Sequence, residues 1–343
     1  MRVSMYYSNK DVRLEQAPRP QIGADELLVK VMASGICGSD VMEWYRRDKV
    51  PLVLGHEVAG EVVEAGPTVS RFKTGDRVAV THHVPCNTCH YCLSGHHTMC
   101  ETLLKKTNFL PGGFAEYLAV PAINVDRGTF AIPEGVSYEE ASFMEPLACV
   151  LRGQRQARLK PGQTVLVLGA GISGLLHIPL ARTLGAGLVL AADTIGYRLD
   201  KALAMGAHQV FTADDSLPEK LTEANQGLKA DLVIVCFDGF IPLALNCVER
   251  GGTVLFFAGA AEGACLPACI NEIFWRTEAT LTSSYAGAPA DCADALKLIA
   301  ARSVPVARLI THRLPLEEAG KGFAVVCNPV ENECVKVIIK PHG

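Results

Sequence analysis

Apolar and polar positions alternate along the first 80 residues, the pattern of half-buried strands. "ELLVKVMASGIC" and "HEVAGEVVEAG" are β-rich, and "GPTVSRFKTGDRVAV" alternates and turns on glycine. A cysteine-rich stretch follows, and "GGFAEYLAVPAINVDRGTFAIP" returns to strands. From about residue 138 the period changes. "SYEEASFMEPLACVLRGQRQAR" has helical spacing, with Ser137 placed to cap it. "QTVLVLGAGISGLLHIPLARTLGAGLVLAAD" then reads as strand, glycine turn, helix, strand. "ADLVIVCFD" and "GGTVLFFAGA" are further buried-type strands set apart by helical segments. This alternation predicts an α/β fold, with a doubly wound parallel sheet covered by helices on both faces. The tail reads as a helix, "DCADALKLIAARSV", a strand, "ARLITHRLPL", a second helix, and a last strand, "ECVKVIIKP".

Composition narrows the partners more than the fold. A chain of 343 residues exceeds what one core usually fills, so two domains are expected. The 32 basic and 36 acidic side chains leave a net charge of −4 with no basic stripe, which argues against nucleic acid as a partner. The start, "MRVSMYYSNKDVRLEQ", lacks an apolar signal core, and no long uncharged apolar stretch follows. The expectation is a cytoplasmic protein with no membrane partner. There an odd set of 13 cysteines reads as thiols and metal ligands rather than a disulfide framework.

Two stretches carry recognisable chemistry. Gly169, Gly171 and Gly174 form G-x-G-x-x-G between the strand "TVLVL" and an apolar helix opened by Ile172 and Ser173. The first glycine permits a tight turn, the second admits a pyrophosphate, and the third lets helix and strand pack closely. Asp193 ends the next strand, where a carboxylate accepts hydrogen bonds from ribose hydroxyls and repels a 2′-phosphate. That favours NAD over NADP, with Arg198 close enough in sequence to soften the preference.

The second stretch, "VPCNTCHYCLSGHHTMC", holds Cys86, Cys89, Cys92 and Cys100. Four thiolates at short spacings suit a closed tetrahedral Zn2+ site of structural purpose. An iron–sulfur cluster is the rival; the longer gap before Cys100 and the absence of a following proline argue against it. His90, His96 and His97 in the same loop read as exposed rather than ligating.

The stretches "GICGSD", "LGHEVAGEVVEAG", "FKTGDRVAV", "CNTCHYCLSGHHTMC", "GGFAEYLAVP", "MEPLACV", "VLVLGAGISGLL" and "THRLPLEEAGKGF" occur in this order over nearly the whole chain. Together they resemble the zinc-dependent medium-chain dehydrogenase/reductase superfamily, and within it the polyol (sorbitol-type) and threonine dehydrogenases. The resemblance implies a GroES-like catalytic domain over residues 1–148, completed by 285–343. It implies a Rossmann NAD-binding domain over 149–284, with the active site in the cleft between them. Cys37, His56, Glu57 and Glu145 match the catalytic zinc ligands, one glutamate binding directly and the other directly or through water. Ser39 matches the hydroxyl that takes the alcohol proton, and Asp40 is its neighbouring supporting carboxylate. The four loop cysteines match the ligands of the structural zinc.

By the same resemblance, the chain is expected to bind two Zn2+ and NAD and to interconvert a secondary alcohol or polyol and its ketone. Relatives form dimers and tetramers, so a homodimer or homotetramer is expected. Met42 departs from the pattern, because many polyol and threonine dehydrogenases carry a histidine there, three residues after Ser39. A threonine or amino-alcohol dehydrogenase is therefore the weaker enzyme reading, and a non-catalytic zinc-stabilised NAD sensor is the alternative of another class. Trp44, Tyr45 and Phe109 stand where relatives line the substrate pocket, and Phe237 stands on the nicotinamide side.

Overall fold

A computed structural model describes residues 1–266 and 270–342. They form two compact units, one of Met1–Ala148, Ala286–Arg302 and Val306–Gly343, the other of Cys149–Tyr285 with Ser303–Pro305. No helix among the described residues is long and apolar enough to cross a membrane.

The second unit is built on six parallel strands. Their order is Gln209–Thr212, Leu188–Asp193, Thr164–Leu168, Ala230–Val235, Val248–Phe256 and Thr280–Ser283. The central strand Thr164–Leu168 is buried at every position, as a parallel strand covered on both faces must be. Order reverses on either side of it, since the chain runs outward first to Leu188–Asp193 and later to Ala230–Val235. Such a switch point opens a crevice at the carboxyl ends of the strands. The Gly169–Gly174 turn lies at that end, and the helix Ile172–Thr183 starts from it.

The first unit holds a mostly antiparallel seven-stranded sheet. The path runs Ile310–Pro315, Lys336–Lys340, Leu27–Gly35, Glu57–Ala65, Arg77–Val80 and Thr129–Ala131, with Tyr117–Val120 also paired to Leu27–Gly35. Leu27, Val29, Val31, Val58, Val62, Val78, Val80, Leu118 and Val120 form one apolar cluster on this sheet. Register places Gly35 opposite both Glu57 and Ile338. Three distant segments therefore end within reach of one another: Cys37 just past its strand, His56 and Glu57 opening theirs, and Lys336 opening a third.

The helical stretch expected after Ser137 is two helices, Tyr138–Ala141 and Met144–Gln156. Ser137 caps the first in a reciprocal capping box with Glu140, an arrangement worth about 1 kcal/mol. Pro146 explains the break. In one continuous helix its ring would collide with the carbonyl of Ser142, whereas the first turn of a new helix tolerates it. Glu145 thus lies in the first turn of the second helix.

Candidate active site and metal centres

Cys37, leaving its strand, accepts a hydrogen bond on Sγ from the Ser39 backbone N–H at 3.5 Å and opens the short turn Gly38–Val41. That turn drives Asp40 inward. Its fully buried carboxylate accepts from the Cys37 N–H at 3.0 Å and lies 3.5 Å from His56 Nδ1 and 3.6 Å from Arg46 Nη2. Burial works against the charged form of Asp40, but His56, Arg46 and the Cys37 N–H outweigh it and hold the carboxyl below its ordinary range. The same contact holds His56 in reverse. Burial disfavours its proton, yet Asp40 and Cys37 keep the metal-free ring well above the usual histidine value.

Donor atoms of Cys37, His56 and Glu57 lie within 4.8 Å of one another. A thiolate, an imidazole and a carboxylate are the ligand types Zn2+ takes, so this set fits a zinc ion. Behind it, Glu57 pairs with Lys336, whose ammonium also donates to the Ile36 carbonyl at 3.0 Å. Both side chains are almost fully buried. Burial pushes Glu57 up while Lys336 and His56 pull it down, and the Glu57 charge keeps Lys336 protonated against its own burial. Gly35 makes room for this pair, because a Cβ there would collide with Glu57 Oε2 and come within 2.8 Å of the Lys336 chain.

Glu145, expected beside Cys37 and His56, groups instead with two histidines that none of the sequence motifs includes. It lies with His82 and His83 in a second cluster of donor atoms within 4.8 Å, with Oε1 3.4 Å from His83 Nδ1. Glu145 still acts on the first set, since its charge helps raise Glu57. The His82 ring stacks 3.7 Å from His83 and stands 4.9 Å from His56, so the two clusters adjoin. The available signal was the consecutive pair in "VTHHVPC", directly after a strand. Lys336 also had one, a lysine inside the apolar run "CVKVII".

Among the aromatic positions, Trp44, Tyr45 and Phe237 are exposed. Phe109 is buried in the sheet cluster and turns its ring edge toward His82 at 6.2 Å.

The four-cysteine loop brings its sulfurs together. Cys89 Sγ is 3.5 Å and Cys86 Sγ 4.0 Å from Cys92 Sγ. A tetrahedron with Zn–S bonds of about 2.3 Å places sulfurs about 3.8 Å apart, whereas a disulfide needs about 2.05 Å. Backbone N–H groups point at the sulfurs, from Cys86 to Cys100 and from Cys89 to Cys86, each at 3.3 Å. The Thr88 hydroxyl and the N–H groups of Thr88 and Cys89 pull the Cys86 thiol down to about 5, while burial pushes Cys92 up to about 12. His90, His96 and His97 are outside the cluster.

In the second unit, Gly169 has φ +94°, and a side chain on Gly174 would strike the Gly169 carbonyl. Gly171 meets nothing nearer than an Arg198 nitrogen at 4.0 Å, which leaves its surface open. No side chain caps the helix that Gly171 starts, so its first N–H groups are available to an anion. Asp193 accepts from Ala170 N–H at 2.7 Å and from Ile195 N–H at 3.0 Å, with Arg198 Nη1 at 3.8 Å. These are the features of a dinucleotide cradle, and they fit NAD.

Known proteins agree with this geometry. The family described as "Alcohol dehydrogenase GroES-like domain" matches residues 23–132, and "Zinc-binding dehydrogenase" matches residues 173–301. The sorbitol dehydrogenase of Bacillus subtilis (strain 168) is 30% identical over 358 residues, covering 100% of this chain and 98% of that protein. The L-threonine 3-dehydrogenase of Bacillus licheniformis is 33% identical over 342 residues, covering 95% of this chain and 94% of its own. The solved alcohol dehydrogenase TADH from Thermus sp. ATN1 superposes with TM-score 0.85 at 28% identity, covering 99% of each chain. The chain belongs to the zinc-dependent medium-chain dehydrogenase/reductase family, an oxidoreductase related to the sorbitol and threonine dehydrogenases.

Proposed function

We propose that this protein is a zinc- and NAD-dependent dehydrogenase that interconverts a secondary alcohol or polyol with its ketone. The observation that carries the reading is the convergence of Cys37, His56 and Glu57 beside Ser39, in a chain that also holds a dinucleotide turn. When bound there, Zn2+ supplies Lewis acidity toward the substrate hydroxyl, and NAD accepts the hydride. The residues of the chain do the rest. Asp40 fixes the orientation of His56 and its tautomer. Ser39 stands two residues beyond the cysteine and takes the proton. Glu57, backed by Lys336, and Glu145, backed by His83, are the carboxylates at the site. Cys86, Cys89, Cys92 and Cys100 hold a structural zinc.

Residues 1–148 with 285–343 serve as the catalytic domain, and 149–284 as the NAD-binding domain. Asp193 favours NAD over NADP, because a 2′-phosphate would meet its carboxylate. The protein works as a homo-oligomer in the cytoplasm. The test is a metal count joined to a substrate screen. Two zincs per chain are expected, together with reduced NAD formed from a panel of sugar alcohols, inositols, diols and hydroxy acids. Two zincs with no turnover of any member would leave a zinc-stabilised NAD-binding protein instead.

A further inference from the structure

One cation beside Ser39, Arg46, is neither a zinc ligand nor the proton acceptor. Arg46 ends the short helix Glu43–Arg46 and folds back over the turn that follows Cys37. Its Nε donates to the Ser39 carbonyl at 3.2 Å, and its Nη2 donates to Ser39 Oγ at 3.4 Å. Nη2 also lies 3.6 Å from Asp40 Oδ1. The side chain is 14% exposed, and Nη1 makes no hydrogen bond among the described residues. The Tyr45 ring flanks the guanidinium at 4.7 Å.

His82 stands next to this group, its ring 4.9 Å from that of His56, which shares Asp40 Oδ1 with Arg46. His82 Nδ1 is buried with no hydrogen-bond partner. Arg46 Nη1 and His82 Nδ1 are thus two nitrogens with open hydrogen-bonding positions at this site, and the guanidinium, which can only donate, calls for a ligand that supplies acceptors. We propose that Arg46 and His82 read an oxyanion on the substrate, so that the preferred alcohol carries a carboxylate or a phosphate.

This inference rests on the dehydrogenase reading and sharpens it. An arginine does not give up its proton, so next to Ser39 it cannot relay one. It can offer charge and directed N–H groups. Asp40 cancels part of that charge at long range, which leaves recognition to the free Nη1 donors at close range. Charge-assisted bonds from a guanidinium to an oxyanion are shorter and stronger than those to a hydroxyl. A neutral polyol forfeits that difference.

The test uses the zinc-loaded full chain with NAD and two matched pairs, gluconate with sorbitol and glycerol 3-phosphate with glycerol. In at least one pair kcat/KM for the oxyanion member exceeds that of its neutral counterpart by about tenfold or more. The pair that responds tells carboxylate from phosphate. Arg46→Gln brings the ratio to within about threefold, and Arg46→Lys keeps part of it. Calorimetric binding of gluconate and sorbitol to the wild-type protein gives the same order without turnover or substitution. Equal or better use and binding of the neutral members would overturn the proposal and leave the dehydrogenase reading intact, as would an unchanged ratio in Arg46→Gln. No NAD reduction with any member of the broader alcohol panel would sink both.

Discussion

Replacing Lys336 with methionine removes the ammonium while keeping most of the side chain's volume. Glu57 then stands almost fully buried without the cation that balances it, and the Ile36 carbonyl loses its donor. Taking away one partner of a buried ion pair costs about 3–5 kcal/mol, because the remaining charge is stranded. For a unit of this size each kcal/mol moves the midpoint by about 2–4 °C, so metal-free Lys336→Met should melt roughly 10 °C below the parent. Two further measurements separate this cause from a packing defect. In Lys336→Met/Glu57→Gln the stranded charge is gone, and at least half of the loss returns. Saturating Zn2+ on Lys336→Met offers Glu57 another cation, and the loss shrinks to about 2 kcal/mol or less. The chain has two tryptophans, Trp44 in the first unit and Trp275 in the second. Fluorescence in a Trp275→Phe background therefore follows the unit that holds the pair. A metal-free Lys336→Met within about 1 kcal/mol of its parent would refute the reasoning. A deficit unmoved by both the second substitution and zinc would do so too.

Three other outcomes are expected. Cys100→Ser should lower the metal content from two zincs per chain to one and open the loop to limited proteolysis, with spectroscopic metal analysis as the check. Zinc uptake at the Cys37 set should release protons and weaken as pH falls. Asp40 and Cys37 raise the proton affinity of His56, and the metal needs the neutral ring, so Asp40→Asn should shift the transition to lower pH in a competition titration. His177 is fully buried and depressed to about 3 by that burial, so the folded state refuses a proton that the unfolded chain accepts below about pH 6.5. Its stabilising contribution is whole above that value and lost as pH falls toward the folded pKa, at about 1.4 kcal/mol per unit. At pH 5 the loss is about 2 kcal/mol, and His177→Leu should flatten this acid limb in urea titrations from pH 7.5 to 4.5.

The sequence carried much of this because several signals are local. A buried strand, a glycine turn and an apolar helix are written within thirty residues of one another, and G-x-G-x-x-G shows its own structural purpose there. The four cysteines likewise need only one loop. Long-range register was the obscure part. Nothing near Lys336 says that its strand will lie beside Leu27–Gly35 and set an ammonium against Glu57. From the sequence, Arg46 and Arg47 were open to two readings, partners for an anionic group such as a phosphate or solvated surface charges; only the return of the short helix over Ser39 buries Arg46. The two histidines after Arg77–Val80 lay outside every matched motif, and their tie to Glu145 joins residues some sixty positions apart. The split at Ser142 was legible in principle. Pro146 stood in plain view, and apolar periodicity alone overruled it.

Asp193 holds one more lesson, for anyone wishing to re-engineer this protein. Its carboxylate anchors the amides of Ala170 and Ile195, so the side chain expected to choose between coenzymes also shapes the bend they would rest on. A swap to a small residue meant to welcome a 2′-phosphate would slacken that bend and blunt affinity for both nucleotides. Retuning would need two coordinated edits, one to invite the phosphate and one to restore the tether that was cut.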